Sequence, residues 1–414
     1  MRTPAPTPIR DVCLGIYDGP HATPKESDEG PVFLGIKNIT EDGRLDFSDV
    51  RHVSEAEFPK WTRRVTPAPG DVVFTYEATL HRYAVIPEGF RGCLGRRVAL
   101  VRPDPLLADS RFLLYYFLSH GWRKVVEGNV ISGATVDRIP LERFPSFPIT
   151  LPSLSAQREI ASILSTYDDL IENNRRRMAL LEESARLLYR EWFGYLRFPG
   201  HEHTRIIDGV PEGWDRRTLE SVCLSDDGIQ TGPFGSQLHQ SDYSEEGVPV
   251  VMPKDLVGFR ISVASIARIP EELADKLGRH RMQPGDTVYG RRGDIGRRAY
   301  IGKRQSGWFC GTGCLRLRPD LVAINPRYLF DTLGAPETAG IIVNRAKGST
   351  MPNLSAGALK SVPLRVAPRK LQDSYAEQVE GLRDMVEVLD EQSRKLRTAR
   401  DLLLPRLMSG EITV

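Results

Sequence analysis

The sequence predicts an α+β protein in which two mixed α/β domains are joined by two long antiparallel coiled-coil helices, with an internal pseudo-twofold repeat. Three observations lead to this prediction. A helical pattern without proline or glycine covers residues 155–193, a second helical pattern lies near the C-terminus, and landmarks of the first half of the chain return after a shift of about 215 residues. The predicted order is therefore domain, helix, domain, helix.

The first helix is predicted from a seam of apolar residues at alternating steps of four and three. The seam positions are Ile160, Leu164, Tyr167, Ile171, Asn174, Met178, Leu181, Ala185, Leu188 and Trp192. A heptad pattern of this length is typical of a helix that packs lengthwise against another helix. Ser155 is the expected N-cap, and Asn174 is the polar residue of the seam.

The second helix repeats this seam after the shift of 215 residues. Its positions are Tyr375, Val379, Leu382, Val386, Leu389, Ser393, Leu396, Arg400, Leu403 and Leu407. Gln372 corresponds to Gln157 at the start of the first helix. We expect the second helix to end near Leu404, because Pro405 has no amide hydrogen to donate and clashes with the preceding turn.

The two regions outside the helices share landmarks in the same order. The matching segments are Gly30 and Gly247, Lys37-Asn38-Ile39 and Lys254-Asp255-Leu256, Pro69-Gly70-Asp71 and Pro284-Gly285-Asp286, Arg102-Pro103-Asp104 and Arg318-Pro319-Asp320, and Gly133-Ala134-Thr135 and Gly348-Ser349-Thr350. The predicted boundaries are therefore 1–150 for the first domain, 151–198 for the first helix, 199–367 for the second domain, and 368–414 for the second helix and tail. Antiparallel helices would place the domains at opposite ends of one rod. Asn174 would then face Ser393, where a polar pair can fix the register.

Composition excludes several classes of protein. The 414 residues contain 56 Lys and Arg against 54 Asp and Glu, so a basic surface for nucleic acid must be local. No apolar run approaches the ~20 residues that span a bilayer. Five cysteines without CxxC pairs or a signal peptide favour a reducing cytoplasm. Cys310 and Cys314 lack a second ligand pair, so we interpret them as core residues and expect no metal site.

Motifs of catalysis are missing from the sequence. It contains no G-x-G-x-x-G, Walker loop, G-x-S-x-G or HExxH. Asn325-Pro326-Arg327-Tyr328 is similar to the N-P-P-Y loop of adenine methyltransferases, but Arg327 replaces the second proline and no glycine-rich cofactor loop precedes it. We therefore predict no catalytic residues.

A basic segment at residues 291–298 is the strongest candidate for binding. Its arginines and glycines suit phosphate oxygens or guanine edges, although a solvated charged loop is the simpler interpretation. Its counterpart in the first domain is 75–82, and the polar loops 18–25, 230–237 and 349–353 are candidates for the same surface. Lys37, Lys254 and the arginines would contact phosphates, and loop tips would contact bases. The predicted DNA-binding residues are Lys25, Lys37, Asn38, Thr75, His81, Arg82, Gln230, Gln237, Lys254, Arg291, Arg292, Arg297, Ser349 and Thr350.

Motifs at the ends of both helices resemble those of the specificity subunits of type I restriction-modification systems. They are Leu151-Pro152 with Gln157-Arg158-Glu159-Ile160, Leu187-Leu188 with Trp192-Phe193, and the C-terminal Leu402-Leu403-Leu404-Pro405-Arg406-Leu407-Met408-Ser409-Gly410-Glu411-Ile412. The resemblance covers nearly the whole chain, and the motifs fall at the expected points of the repeat.

This resemblance implies a function in DNA recognition. Each variable domain would recognise one half of a bipartite double-stranded DNA target, and the helices would set the spacing and bind two methyltransferase subunits, to which restriction-translocase subunits are added. The subunit itself would be non-catalytic and would bind no cofactor. S-adenosylmethionine, ATP and Mg would be bound by the partners, which also flip the adenine that is methylated. We expect half-site centres about 10 to 14 base pairs apart.

Two other functions stay open at this level. A structural protein could use the coiled coil to separate two interaction domains that never bind DNA, and copurification of a methyltransferase would argue against it. An enzyme could have an unrecognised site, although a duplicated catalytic set should then appear twice. Cleavage or methylation of DNA by the chain alone would support the enzyme.

Overall fold

A computed structural model describes residues 5–133, 136–234, 237–346 and 352–414. The chain forms two compact units, each with its own core. Unit 1 consists of Met1–Arg176 and Leu389–Val414, and unit 2 consists of Arg177–Val388. Within the described residues, no helix combines the length and apolar character that crossing a bilayer requires.

Unit 1 begins with a mixed globular part. Its elements are β1 (Thr7–Pro8), β2 (Cys13–Asp18), β3 (Ser27–Leu34), β4 (Arg51–His52), α1 (Phe58–Trp61), β5 (Val72–Thr75), β6 (Tyr83–Val85), β7 (Gly92–Leu94), β8 (Val98–Pro103), α2 (Ser110–Leu118), α3 (His120–Glu127) and β9 (Pro148–Ile149). One sheet has the order β2-β8-β5-β6 and a second has the order β4-β3-β7. Both faces of β5 are buried, because Val72 and Phe74 enter one hydrophobic core and Val73 enters another.

Unit 2 contains the same arrangement of strands. After the long helix α4 (Leu154–Tyr189) its elements are β10 (Ile206–Ile207), β11 (Val210–Pro211), β12 (Asp215–Thr218), β13 (Ile229–Thr231), β14 (Val248–Val251), β15 (Leu256–Val257), β16 (Arg260–Ile261), β17 (Ala267–Ile269), α5 (Glu271–Lys276), β18 (Thr287–Gly290), β19 (Arg298–Tyr300), β20 (Phe309–Cys310), β21 (Cys314–Leu317), α6 (Pro326–Thr332), α7 (Pro336–Arg345), α8 (Ala356–Lys360) and β22 (Pro363–Val366). Its main sheets have the orders β13-β21-β18-β19 and β17-β14-β20. These orders match those of unit 1, so the predicted internal repeat is confirmed.

Equivalent turns use the same chemistry in both units. Asp71 accepts two hydrogen bonds from Arg102 at 2.8 and 2.7 Å, and Asp286 accepts two from Arg318 at 2.9 and 2.8 Å. Gly30 and Gly247 both have φ of 119°, which favours glycine. The landmarks recognised in the sequence therefore serve to build each unit.

The two long helices carry the predicted seams. The chain continues from α4 through a π-helical turn at Arg190–Gly194, and α9 (Arg369–Met408) is the last helix. Seam residues are buried or half-buried along both helices. In unit 1, Ile160 and Leu407 share one core, and Asp168 lies 2.5 Å from Arg400. These segments of the helices are therefore antiparallel neighbours.

Two predicted helix ends are wrong. Helix α4 begins at Leu154, and Ser153, not Ser155, caps it by accepting a hydrogen bond from Ala156 N at 3.3 Å. Helix α9 continues through the exposed Pro405 to Met408. Leucines on either side of Pro405 pack into the hydrophobic core that contains Ile160, and this burial offsets one missing backbone hydrogen bond.

A buried glutamine attaches each long helix to the globular part of its unit. Gln157 accepts a hydrogen bond from Asp109 N at 2.9 Å and donates to Leu107 O at 3.0 Å. Gln372 accepts from Asn325 N at 2.8 Å and donates to Ala367 O at 2.7 Å. Both side chains are almost fully buried, so their polar atoms depend on these partners.

Candidate nucleic-acid interface

The loop between β5 and β6 of unit 1 forms a short antiparallel ladder with residues 137–139. The ladder consists of hydrogen bonds from Ile139 N to Tyr76 O (2.7 Å) and from Ala78 N to Asp137 O (3.1 Å). Glu77 and Arg138 are the bridged pair between them. These hydrogen bonds fix the two backbone segments against each other, and therefore fix the positions from which the side chains of Glu77 and Arg138 project.

Unit 2 contains the same ladder at the shift of 215 residues. Its hydrogen bonds run from Leu354 N to Arg291 O (2.8 Å) and from Gly293 N to Pro352 O (3.2 Å). Arg292 and Asn353 are the bridged pair. The structure thus brings residues 352–353, the described end of one predicted candidate loop, next to the predicted basic segment 291–298.

Two further loops lie next to each ladder: one bonds the ladder itself, and the other bonds the first residue of the adjoining strand, β8 or β21. The bonds of unit 1 are Gly19 N to Val98 O (2.9 Å) and Tyr76 N to Arg97 O (3.2 Å), and those of unit 2 are Gly232 N to Cys314 O (3.0 Å) and Arg291 N to Gly313 O (2.9 Å). We define loop cluster 1 as residues 18–21, 76–82, 95–97, 131–133 and 136–139. Loop cluster 2 is residues 231–234, 290–297, 311–313 and 352–354.

Loop cluster 2 carries a net positive charge, with three arginines and one aspartate. Arg292 is exposed, and within the described part of the chain its side chain has no hydrogen bond or ion pair. Arg291 donates to Asn353 Oδ1 at 3.3 and 3.4 Å, and Arg297 pairs with Asp294 at 2.8 Å. Arg291 therefore supports the ladder, whereas Arg292 can donate all its hydrogen bonds to a ligand.

Loop cluster 1 has a more balanced charge. Glu77 pairs with Arg97 at 2.9 Å, and Asp18 pairs with His21 at 3.0 Å. Arg138 is exposed, and the described residues provide its side chain with no hydrogen bond or ion pair. The cluster therefore combines carboxylates with an arginine whose donors are available.

Some predicted residues lie inside the protein. Thr75 is fully buried in β5, so its hydroxyl cannot contact DNA. Asn38 is also buried: its Oδ1 accepts from Gly35 N at 3.0 Å, and its Nδ2 donates to Asp46 O and Asp49 O at 3.0 Å. These two assignments are corrected, because each residue belongs to a repeated scaffold position rather than to a loop tip.

Other predicted residues are exposed or half-buried but lie on different elements. Lys37 pairs with Asp49 at 2.5 Å, and Lys254 donates to Ser265 O at 3.3 Å. Arg82 donates to Ile39 O and pairs with Glu41, both at 3.1 Å. These contacts hold neighbouring loops, and the structure does not join the two lysines to the loop clusters.

The remaining predicted residues flank the clusters. Lys25 is exposed, and half-buried Gln230 pairs with Arg316 across β13 and β21. Gln237 Oε1 accepts a hydrogen bond from Phe234 N at 3.3 Å. Ser349 and Thr350 lie outside the described residues.

One histidine of loop cluster 1, His81, is held in an uncommon backbone conformation. His81 has φ of 62°, and its Nε2 lies 3.8 Å from Glu127. Burial, together with the charge of Arg123, lowers the pKa of His81. The imidazole is therefore neutral at pH 7 and offers one donor and one acceptor.

Sequence reasoning missed two exposed arginines of loop cluster 1, Arg96 and Arg138. Arg138 is the repeat counterpart of Asn353, which lies in a predicted candidate loop. Applying the shift of 215 residues to that loop would have identified it. Arg96 lies in a turn whose counterpart contains no arginine, so the repeat carries no signal for it.

Two other sequence interpretations concern the core. Cys310 and Cys314 are buried in one hydrophobic core, and burial raises the pKa of the Cys310 thiol to about 12. Asn325 caps α6 by accepting from Arg327 N at 2.9 Å, which gives the Asn-Pro-Arg-Tyr segment a structural purpose. Among the residues that the structure describes, no cluster of histidine, cysteine and carboxylate side chains could hold a metal ion.

Comparison with known proteins gives matches to one class. Residues 48–183 match the model of the "Type I restriction modification DNA specificity domain". The chain is 24% identical over 408 residues to the type I restriction enzyme MjaIX specificity subunit of Methanocaldococcus jannaschii, which covers 96% of this chain and 87% of that protein. It is 22% identical over 335 residues to the MjaVIII specificity subunit of the same organism, covering 79% and 76%.

A solved structure has the same fold. The type I restriction-modification S subunit of M. genitalium matches with a TM-score of 0.55 at 18% identity, covering 97% of this chain and 94% of that one. These matches agree with the resemblance to the specificity subunits of type I restriction-modification systems that the helix motifs indicated.

Proposed function

We propose that this chain is the DNA sequence-recognition subunit of a type I restriction-modification complex, and that loop cluster 1 and loop cluster 2 each read one half of a bipartite target. The family supports the general function. The assignment of half-sites is carried by one observation: the same backbone ladder is built twice and bears different side chains at the bridged pair, Glu77 and Arg138 in one unit and Arg292 and Asn353 in the other.

A duplicated scaffold with different tips suits the recognition of two unlike half-sites. The shared backbone would present side chains to DNA in the same manner, while the donors and acceptors at the tips would select bases. Arg292 is the leading candidate in unit 2, and Arg291 would position the loop. As a specificity subunit the chain recognises DNA and leaves the chemistry to its partners.

The outer faces of the long helices are suited to two copies of one partner. Exposed apolar side chains occupy positions that are equivalent under the repeat: Leu170 (45% exposed) with Met385 (43%), and Leu187 (38%) with Leu402 (65%). Large exposed apolar residues often mark interfaces. We assign these residues to the docking of two methyltransferase subunits, to which restriction-translocase subunits would be added.

The cofactors would be bound by the subunits that carry out the chemistry. The proposed partners would bind S-adenosylmethionine, and in the nuclease complex ATP and Mg, while this chain binds none of them. The complex would act in the cytoplasm, where its double-stranded DNA target lies.

Methylation mapping tests the proposal. The gene is expressed with its methyltransferase subunit in a host that lacks adenine methylation, and modified adenines are mapped by single-molecule sequencing. One bipartite motif is expected, and Arg292→Ala should relax only one of its halves. Arg205→Ala, an exposed arginine paired with Glu212 at 2.9 Å, is the control and should keep the motif. Absence of any motif that depends on this chain would refute the function and favour the structural alternative.

A further inference from the structure

Within the described residues, each ladder has one arginine whose side chain makes no hydrogen bond or ion pair, and the two ladders differ in where this arginine lies. In unit 1 it is Arg138, across from Glu77, and in unit 2 it is Arg292, across from Asn353. The residue across from the arginine makes an internal contact in both cases: Glu77 with Arg97, and Asn353 with Arg291. Each ladder therefore presents one arginine with its donors available, but from opposite strands.

Arg138 opens onto a cleft within unit 1. The cleft encloses about 450 Å³, and its polar lining consists of Tyr17, Asp18, His21, Tyr76, Glu77, Arg138 and Glu142. Residues of loop cluster 1 and Glu142, which follows its ladder, thus line a single opening. Glu142 is exposed and has no ion pair within the described residues.

The charges of the cleft favour a base edge over a phosphate. A phosphate that reached Arg138 here would also approach Glu142, the lining carboxylate that has no ion pair within the described residues, whose like charge opposes it. Asp18 and Glu77 are paired with Arg64 at 2.5 Å and Arg97 at 2.9 Å. The major-groove edge of a G·C pair offers both kinds of partner. Guanine O6 and N7 accept from an arginine fork, and the cytosine N4 amino group donates to a carboxylate.

We infer that this cleft binds the major-groove edge of a G·C base pair in the half-site of unit 1, with Arg138 donating to guanine O6 and N7 and Glu142 accepting from the cytosine amino group. The inference rests on the proposed function and adds a base and a reading residue to it. Arg292 is the corresponding reader in unit 2, and it approaches from the other strand of the ladder.

Binding measurements on the assembled complex test this assignment. The motif of the wild-type complex is determined first by methylation mapping. Competition binding then compares the cognate duplex with duplexes in which each G·C pair of the half-site is replaced in turn by A·T. We expect Arg138→Ala to weaken cognate binding about ten- to hundredfold, which corresponds to one bidentate base contact. At a single G·C position the variant should no longer distinguish the two duplexes.

Two further variants keep the test decisive. Arg138→Lys retains the charge but not the planar fork, so it should also lose discrimination at that position. Arg143→Ala removes an exposed arginine that does not line the cleft and should retain both affinity and motif. Circular dichroism and copurification with the methyltransferase establish that each variant is folded.

The possible outcomes are distinct. Equal weakening on every duplex with an unchanged motif, restored by lysine, would identify a phosphate contact and overturn the inference, as would unchanged binding by Arg138→Ala. If Arg138→Ala binds no duplex, the Arg138→Lys variant decides between the two interpretations. Lost selectivity at the G·C position would support the inference, and retained selectivity would overturn it. Absence of any motif for the wild-type complex would instead refute the proposed function.

Discussion

Left-handed backbone occurs at the same two positions of both loop clusters. Ala78 and Gly293 have φ of 69° and 73°, and His81 and Gly296 have φ of 62° and 122°. A residue with a Cβ atom costs roughly 1–2 kcal/mol in this region of backbone conformation. Glycine avoids that cost, but part of its advantage is cancelled because glycine is more flexible in the unfolded chain. The structure of the ladder therefore imposes strain on unit 1 that unit 2 avoids.

Exchange of these residues should move stability in opposite directions. Ala78→Gly is expected to raise the free energy of unfolding by about 0.5–1 kcal/mol, and Gly293→Ala to lower it by a similar amount. A Cβ atom at Gly293 would have no heavy atom within 4 Å, so the effect reports backbone conformation alone. Urea unfolding of both variants measures it. Shifts of the same sign would contradict the explanation.

A second prediction at this scale concerns a buried histidine of unit 2. His280 lies in the interior beside Arg316, where unit 1 has Val65 and Leu100 at the equivalent positions. Burial, with the charges of Arg279 and Arg316, lowers the pKa of His280 to about 4. Because the unfolded chain binds this proton near pH 6.5, stability should fall between pH 6.5 and 4 by roughly 3 kcal/mol.

His280→Val, which installs the residue of unit 1, should remove this component of the pH dependence. Urea unfolding of the wild type and the variant at pH 7, 6, 5 and 4 provides the comparison. An unaltered slope in His280→Val would show that other groups cause the dependence.

Residue type and spacing could predict part of the interface. The cluster of arginines at 291–298 was visible because it is dense and follows a strand, and the structure leaves Arg292 exposed. Thr75 and Asn38 could not be separated from surface residues, because residue type does not show that strand β5 is packed inside its sheet or that the Asn38 amide finds buried partners. Asn38 is saturated by Asp46 and Asp49, eight and eleven residues further on.

At the scale of elements, hydrophobic periodicity predicted the long helices well, because the seam repeats over many turns and every seam position fits the same helical period. The ends were less predictable. Pro405 terminates a helix only where no packing energy opposes it, and in α9 the leucines around it are held by the core of unit 1. Local propensity is a weak guide where tertiary contacts compete.

The glutamines at the helix starts provide an element-scale prediction. Gln157→Leu removes a buried acceptor of Asp109 N and a buried donor, leaving their partners without hydrogen bonds. The expected loss in the free energy of unfolding is roughly 2–4 kcal/mol, because each unpaired buried group costs about 1–3 kcal/mol. Gln372→Leu should have a similar effect.

An exposed glutamine provides the control for that prediction. Gln378→Leu lies on the exposed side of α9 and should change stability by less than about 0.5 kcal/mol. Hydrogen exchange should locate the lost protection at α2 for Gln157→Leu and at α6 for Gln372→Leu. Equal destabilisation by Gln378→Leu would mean that the glutamine contacts do not carry the effect.

At the scale of the whole molecule, the repeat is what made the fold predictable. Landmarks such as Pro69-Gly70-Asp71 and Pro284-Gly285-Asp286 recur because the Asp–Arg pair and the glycine turn are required twice. The bridged pairs of the ladders were not predictable in this way, since their backbone is conserved within the chain while their side chains differ. The proposed function depends on that difference.

The central claim is that each unit reads its own half of one target. Its most direct test is a single-molecule adenine-methylation map of cells that carry the methyltransferase subunit with the wild-type chain, Arg138→Ala or Arg292→Ala. One bipartite motif is expected, with Arg138→Ala relaxing one half and Arg292→Ala relaxing the other. The claim would be contradicted if both substitutions altered the same half, or if the map were the same with and without this chain.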